Sequence, residues 1–505
     1  MPSTVCSAAI IGLDATQVAV EVDLSRGLHF FTIVGLPDKA VEEARERVAS
    51  AIKNTGLVPP NRRNQRVIVN LAPADLKKEG PKYDLPIALA YLLSSGQTSF
   101  RSENKMFVGE LALDGAVRAV SGILPMAIRA AHDGLEELFV PYENRIEAAF
   151  VGGLLVYGVR TLAELLMHLE GKATLEPTKQ PDLSHMRTIS SYDFSYIKGQ
   201  EHVKRALEIS AAGAHNVLLT GPPGSGKTLL ARALVSILPP MDTEEMLDVT
   251  RIFSVAGLTS HHLPIVHERP FRSPHHSASS VALVGGGSIP RPGEITLAHR
   301  GVLFLDELPE FERRVLESLR QPLEDGEVTV SRAQGTLTFP AKFVLVATMN
   351  PCPCGFLHDQ QRTCVCTPYQ IAKYRRKLSG PLLDRIDLHL TVPRLPFEKI
   401  EDTRTGETSR DVSVRVVSAR EIQRHRFVML TGKTNSEILH RDISRFCAVN
   451  EATKSLLKHA VEKYGLSVRA YHRILKVSRT IADLADRETI SEEHVSEALQ
   501  FRAGV

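Results

Sequence analysis

Apolar and polar positions alternate along the first 170 residues in two rhythms. Apolar runs with strand-like alternation at Val18 to Val22, Arg66 to Leu71 and Met106 to Leu113 predict strands; helical spacing predicts helices at Asp38 to Asn54, Asp84 to Leu93 and Gly122 to Ala131. Their mixture predicts an α+β domain over residues 1–170. From Gly171 to Ser191 the periodicity lapses and Lys, Pro, Ser and Asp accumulate, the composition of a linker. Beyond it, short apolar runs at Val217–Leu219, Gly301–Leu305 and Phe343–Thr348 predict the strands of an α/β core spanning 192–396. A polar stretch, Glu401 to Asp411, then leads into amphipathic helices that fill 397–505. No repeat or low-complexity tract interrupts this order.

Residues 221–228, Gly-Pro-Pro-Gly-Ser-Gly-Lys-Thr, fit the phosphate-loop motif G-x-x-x-x-G-K-[ST] at every position, directly after an apolar strand. Gly221, Pro222, Pro223, Gly224, Ser225 and Gly226 would curl so that successive N–H groups face a polyphosphate, with the positive end of the following helix behind them. Lys227 is expected to reach the β- and γ-phosphates and Thr228 to ligate Mg²⁺, and Leu229 completes the nucleotide-binding set. The run Gly301 to Glu307 ends in two carboxylates: Asp306 suits a magnesium ligand acting through water, and Glu307 suits a base that polarises the attacking water. ATP with Mg²⁺ is the expected cofactor pair.

Composition narrows the class without deciding it. The chain has 505 residues, 43% hydrophobic and 24% charged, which fits two or three globular domains. Its net charge of +3 is too mild to demand a nucleic-acid partner. Asp14, Glu21 and Asp23 break any signal-like apolar segment, and no apolar stretch is long enough to span a bilayer, so a cytoplasmic protein without a membrane partner is expected. Four of the six cysteines crowd into residues 352–366, which points to a local site, not a secreted disulfide framework.

The core resembles the magnesium-chelatase-like branch of the AAA+ ATPases, because further motifs follow in that family's order. Ile197-Lys198-Gly199-Gln200 resembles the loop that contacts adenine, which implies roles for Ile197, Gly199 and Gln200. Asn350, after the strand Phe343–Thr348, resembles sensor 1, which positions the attacking water. Gly380 to Asp387 resembles the segment carrying the arginine finger, so Arg385 would serve a neighbouring subunit's nucleotide. Gly465 to Ala470 resembles the start of the sensor 2 helix, which would bring Arg469 to the γ-phosphate. A finger supplied from another chain implies a homo-oligomeric ring, a hexamer by family. Pro270 to His276, Gly285 to Glu294 and Asn350 to Gly355 further resemble the YifB/ComM family, and this likeness covers essentially the whole chain. It implies an ATP-driven DNA helicase that migrates branches during homologous recombination in natural transformation, with single-stranded or branched DNA as its partner.

Other elements bear on that reading. Glu327–Val330 and Thr336–Phe339 flank Ser331 to Gly335 as a β-hairpin resembling the pore hairpin of ring helicases, with Arg332 near its tip for phosphate contact; a plain solvated hairpin is the alternative. The segment 271–295 resembles the helix-2 insert, and its His275 and His276 lack a third ligand at metal spacing. Cys352, Cys354, Cys364 and Cys366 offer four thiolates for a structural Zn²⁺, the alternatives being reduced thiols or a labile disulfide. The first domain resembles that of Lon proteases at Lys78 to Pro81 and Gly109 to Gly115, but Lys82 stands where the family has its serine and no lysine lies around Ile123 to Pro125. A protease-like scaffold without peptidase activity is expected. Its run Arg62 to Arg66 is either a DNA contact or a solvated loop. A DNA motor, a chelatase-type motor that remodels a protein, and an ATP-dependent protease are the functional classes left to compare; the missing dyad removes most of the case for the third.

Overall fold

The computed structural model describes residues 2–62, 64–182, 192–287, 290–332, 335–359, 361–396, 406–428 and 434–502. Packing divides the chain into two units, one comprising 1–186 with 242–267 and the other 187–241 with 268–505.

The first unit is built on a seven-stranded mixed sheet, in the order Phe30–Val34, Gln65–Ala72, Asp14–Arg26, Ser3–Ile11, Lys105–Phe107, Glu137–Pro141, Leu155–Val159. Alternation in the long strand Asp14–Arg26 sends Val18, Val20 and Val22 into the core, while its opposite face stays more open. The helix Asp84–Ser94 is apolar nearly all round and is buried accordingly. Its first residue, Asp84, is fully buried and pairs with Arg47 through bonds of 2.6 and 3.0 Å, and it also accepts the Leu111 N–H. Burial still pushes its carboxyl up to about 6 against the pull of Arg47. Lys82 lies in the short turn Pro81–Tyr83 and is buried, and Ile123 to Pro125 open the helix Ile123–His132 with their side chains in the core.

The segment 242–267, which falls within the expected 192–396 core by sequence, packs in the first unit. Its helix Thr243–Ala256 starts at a capping box between Asp242 and Glu245 and stops at Gly257 in a left-handed conformation. Met246, Leu247 and Ile265 pack with Leu124 and Phe150. The Gly122 N–H donates to Ser254 O at 2.9 Å, and Leu124 N–H donates to the Glu147 carboxylate at 3.1 Å. Glu147 also accepts from Asn144 and Thr259, and burial raises its pKa despite these donors. In the second unit, Arg269 closes the base of this excursion by donating to Pro239 O, Pro240 O and Arg300 O.

The second unit holds a five-stranded parallel sheet in the order Phe271–Arg272, Val302–Leu305, Val344–Met349, Val217–Thr220, Leu388–Thr391. The helices Ser409–Arg426, Glu451–Tyr464, Val468–Leu484 and Glu492–Gln500 follow, and Val412, Val416, Ile474 and Ile481 share one core with Val217, Leu219 and Leu390 of the sheet. Gln423 and Arg420 donate to the carbonyls of Ala212 and Ala211, which terminate the helix Glu201–Gly213. The expected architecture stands in chain order: a mixed-sheet domain, then an α/β core with a parallel sheet, then a helical region. Among the described residues no helix is long and apolar enough to cross a membrane.

Candidate nucleotide site

Three neighbouring parallel strands end together. Thr220 pairs with Met349, and Leu305 with Ala347, so the residues that follow, Gly221, Asn350 and Asp306, emerge at the same end of the sheet. Ligands of open α/β sheets bind at these carboxyl ends. Gly221 is required by contact, because a Cβ there would lie 2.3 Å from Val392 O. Gly224 and Gly226 have φ of +76° and +85° with open space where a Cβ would be, which lets the loop wind and the helix Lys227–Ile237 begin.

Lys227 Nζ donates to Gly221 O at 2.8 Å, Pro222 O at 2.9 Å and Asn350 Oδ1 at 3.3 Å. Burial lowers its pKa, opposed by the charges of Asp306 and Glu307. The Thr228 hydroxyl donates to Asp306 at 3.4 Å, and Thr348 donates to the other Asp306 oxygen. Glu307 sits at φ +53°, a strained conformation for a non-glycine residue, held by bonds from its N–H to Thr348 Oγ1 at 3.1 Å and Asp306 Oδ1 at 3.2 Å. Thr348 therefore holds the Asp306 carboxylate and the backbone that carries Glu307. Sequence reasoning misses it, although a lone hydroxyl inside the apolar strand Val344–Met349 is a signal for it.

The donor set fits ATP with magnesium. The Ser225 hydroxyl is buried with no partner among the described residues, an ammonium rests on loop carbonyls, and a hydroxyl and a carboxylate meet at metal-binding range. Gln200 donates from Nε2 to Ser225 O at 3.1 Å and to Pro393 O at 3.2 Å, which ties the 197–200 loop to the phosphate loop; Ile197 is buried beside it. Leu229 is partly exposed on the first turn of the helix.

The two arginines expected to serve a nucleotide meet on one carboxylate. Arg385 is 8% exposed and donates to Pro381 O and Glu324, and Arg469 donates to the other Glu324 oxygen at 2.5 Å. Burial raises the Glu324 pKa, but Arg385 and then Arg469 outweigh it and hold the carboxyl low. Glu324 has no local motif and is legible only from the folded chain. Below this cluster, the buried Asp387 accepts from Asn216 N–H and Arg473, and the Asn216 side chain reaches Arg385 O and Leu345 N–H. The base of the Arg385 segment is thus tied to the central strands.

The four cysteine sulfurs lie within 4.8 Å of one another, with Sγ separations of 3.4 Å for Cys352 to Cys354, 3.7 Å for Cys352 to Cys364 and 3.6 Å for Cys354 to Cys364. A tetrahedral zinc–thiolate site needs about 3.8 Å between sulfurs, so the set fits that metal. Backbone N–H groups of Phe356 and Val365 bring the Cys354 thiol down to about 6. No two of the four are joined in a disulfide in this structure. Gly355 carries the loop against the phosphate loop, since a Cβ there would lie 2.6 Å from Pro223 Cδ. Among the described residues His275 and His276 join no cluster of three metal-ligating groups. The hairpin pairs Glu327–Arg332 with Gly335–Pro340, further than expected, because the ladder continues through Ser331–Thr336 and Arg332–Gly335. Residues 333–334 and the side chain of Arg332 lie outside the described part, as do residues 183–191 of the linker and Arg63 of the basic run.

The parallel sheet with its phosphate loop and paired carboxylates is a P-loop nucleotide-binding core, and the family matched over it makes it an AAA+ core of the magnesium-chelatase type. Family models described as magnesium chelatase, subunit ChlI, and its C-terminal part match residues 193–400 and 406–502, and a model for subunit ChlI of Mg-chelatase matches 20–144. The chain is 47% identical to the competence protein ComM of Haemophilus influenzae over 510 residues, covering 99% of this chain and 97% of that protein. It is 45% identical to YifB of Escherichia coli, covering 99% and 97%. Its likeness to the magnesium-chelatase 38 kDa subunit of Rhodobacter capsulatus, 32% identity, covers only 34% of this chain and 54% of that protein. The chain belongs to the YifB/ComM family of magnesium-chelatase-like AAA+ proteins.

Proposed function

We propose that this protein is an ATP-driven, ring-forming DNA motor that moves strands or branches during recombination of incoming DNA. The observation that carries the nucleotide half is the meeting of Lys227, Thr228, Asp306, Glu307 and Asn350 at adjacent strand ends. Lys227 would hold phosphate oxygens in place of its loop carbonyls, Thr228 directly and Asp306 through water would hold magnesium, and Ile197, Gly199 and Gln200 would line the base. Magnesium, when bound, neutralises charge developing on the phosphates. Glu307, whose backbone Thr348 holds, would take the proton of the attacking water, and Asn350 would orient that water. Arg385, supplied across a subunit boundary in a hexamer, and Arg469 stabilise charge on the γ-phosphoryl oxygens. The DNA half rests on the full-length similarity to a competence protein and on the hairpin 327–340 with Arg332 beside its tip.

DNA should raise the rate of ATP hydrolysis, and branched DNA should be unwound or migrated. The test compares phosphate release with no DNA, single-stranded, duplex and branched DNA, alongside a strand-displacement assay. Assembled rings that hydrolyse ATP at one rate with every DNA and move no strand would overturn the reading in favour of a motor that remodels a protein, the activity class of a chelatase subunit.

We also assign a structural zinc to Cys352, Cys354, Cys364 and Cys366: four thiolates leave no open position for chemistry. Elemental analysis of purified protein should find about one zinc per chain, and its removal should loosen the loop packed on Pro223 and slow hydrolysis. Metal-free protein that is folded and fully active would refute the assignment.

A further inference from the structure

Residues 361–380 contain no acidic side chain, but carry Arg362, Lys373, Arg375, Arg376 and Lys377. Within them the helix Pro368–Arg375 starts at a Thr367–Gln370 capping box. One stripe of this segment faces inward, with Tyr374 and Leu378 buried and Ile371 half-buried, and the rest is exposed. At positions four and seven residues apart the exposed side presents Tyr369, 74% exposed, then Lys373 and Arg376. Among the described residues no carboxylate pairs with Lys373, Arg375 or Arg376; the nearby acids are engaged, Glu310 by Lys377 at 3.2 Å and Asp359 by the Gln361 and Arg362 N–H groups. An exposed aromatic ring on a strip of unpaired cations is poor design for a solvated helix and good design for a strand of phosphates and bases.

We propose that the exposed face of the helix Pro368–Arg375 and its continuation is a second nucleic-acid contact, which takes a single strand with a base stacked on Tyr369 and phosphates on Lys373, Arg375 and Arg376. A single strand is the ligand because a stacking ring needs an unpaired base, whereas a duplex offers this helix only phosphates. The helix adjoins the nucleotide site: the Tyr374 ring end lies beside the Asn350 backbone, and the cysteine loop that leads into the helix packs on Pro223. Strand binding on this face therefore bears on the residue that orients the attacking water. The inference rests on the DNA-motor reading and adds to it a place where the strand is held.

The test measures binding of a fluorescent oligo-dT strand to the full-length chain across a salt series, with ring assembly measured on the same samples. Tyr369→Ala should weaken binding by roughly fivefold to a hundredfold at unchanged salt dependence, and Tyr369→Phe should restore it. Lys373→Ala with Arg376→Ala should lower the log–log salt slope by roughly 1.4, about 0.7 for each single-strand phosphate that is no longer neutralised, and should abolish DNA stimulation while leaving DNA-independent hydrolysis intact. Wild-type protein that binds DNA together with variants that bind equally well would overturn this site and leave the motor reading standing. Wild-type protein that binds no DNA would overturn both. Variants that lose DNA only because they no longer assemble would show the face to be an interface between copies, which also overturns the proposal.

Discussion

Glu307→Gln should bind ATP with near-normal affinity and hydrolyse it about 10²- to 10⁴-fold more slowly, the range lost when a positioned proton acceptor is removed. Glutamine keeps the size and polarity of the side chain but cannot take a proton from water. The backbone that aims it stays in place, because the strained conformation at φ +53° is held by the Glu307 N–H on Thr348 and Asp306 and not by the carboxylate. Lys227→Ala should instead lose nucleotide binding, since it removes the ammonium now resting on Gly221 O, Pro222 O and Asn350. Titration with a fluorescent ATP analogue and phosphate release under saturating ATP separate the two. Normal turnover in Glu307→Gln would move the base elsewhere, and Asp306 cannot replace it while committed to Thr228 and Thr348.

The phosphate loop and the two carboxylates are legible in the sequence because their chemistry is local: each sits at the end of a short apolar strand whose residues are contiguous. Parallel order is equally legible, since Val302–Leu305 and Val344–Met349 are buried on both faces and read as near-continuous apolar runs, interrupted only by Thr348. In the first unit the strands Ser3–Ile11, Glu137–Pro141 and Leu155–Val159 have no such clarity. The first mixes small residues such as Ser7 and Ala8 with apolar ones, and the other two are only five residues long, where strand and helix patterns coincide. The placement of 242–267 is not legible at all. Its helix is amphipathic and well capped, but nothing in the pattern says which unit its apolar side will meet; Leu124 and Phe150 decide that. Glu324 belongs to the same class, a residue defined by two arginines 61 and 145 positions away.

Arg385→Ala should slow hydrolysis about 10³- to 10⁵-fold, the contribution of an arginine finger, with little loss of ATP affinity. In the single chain Arg385 is held by Glu324 and Pro381 O and its guanidinium is nearly buried, so it needs a partner to draw it out. A neighbouring subunit's nucleotide is such a partner, because a phosphate of high charge density competes with one shared carboxylate that would keep Arg469. The decisive measurement mixes Arg385→Ala with Lys227→Ala chains. Each is inactive alone, but a mixed ring pairs an intact phosphate loop on one subunit with an intact finger on the next, so activity should rise with mixing and peak near equal proportions. A finger acting within its own chain gives a different result: mixed rings demonstrably form, yet no mixture exceeds the two separate variants. Glu324→Gln adds a second readout, since weakening the latch should leave the trans complementation in place while lowering the ATP concentration at which it saturates.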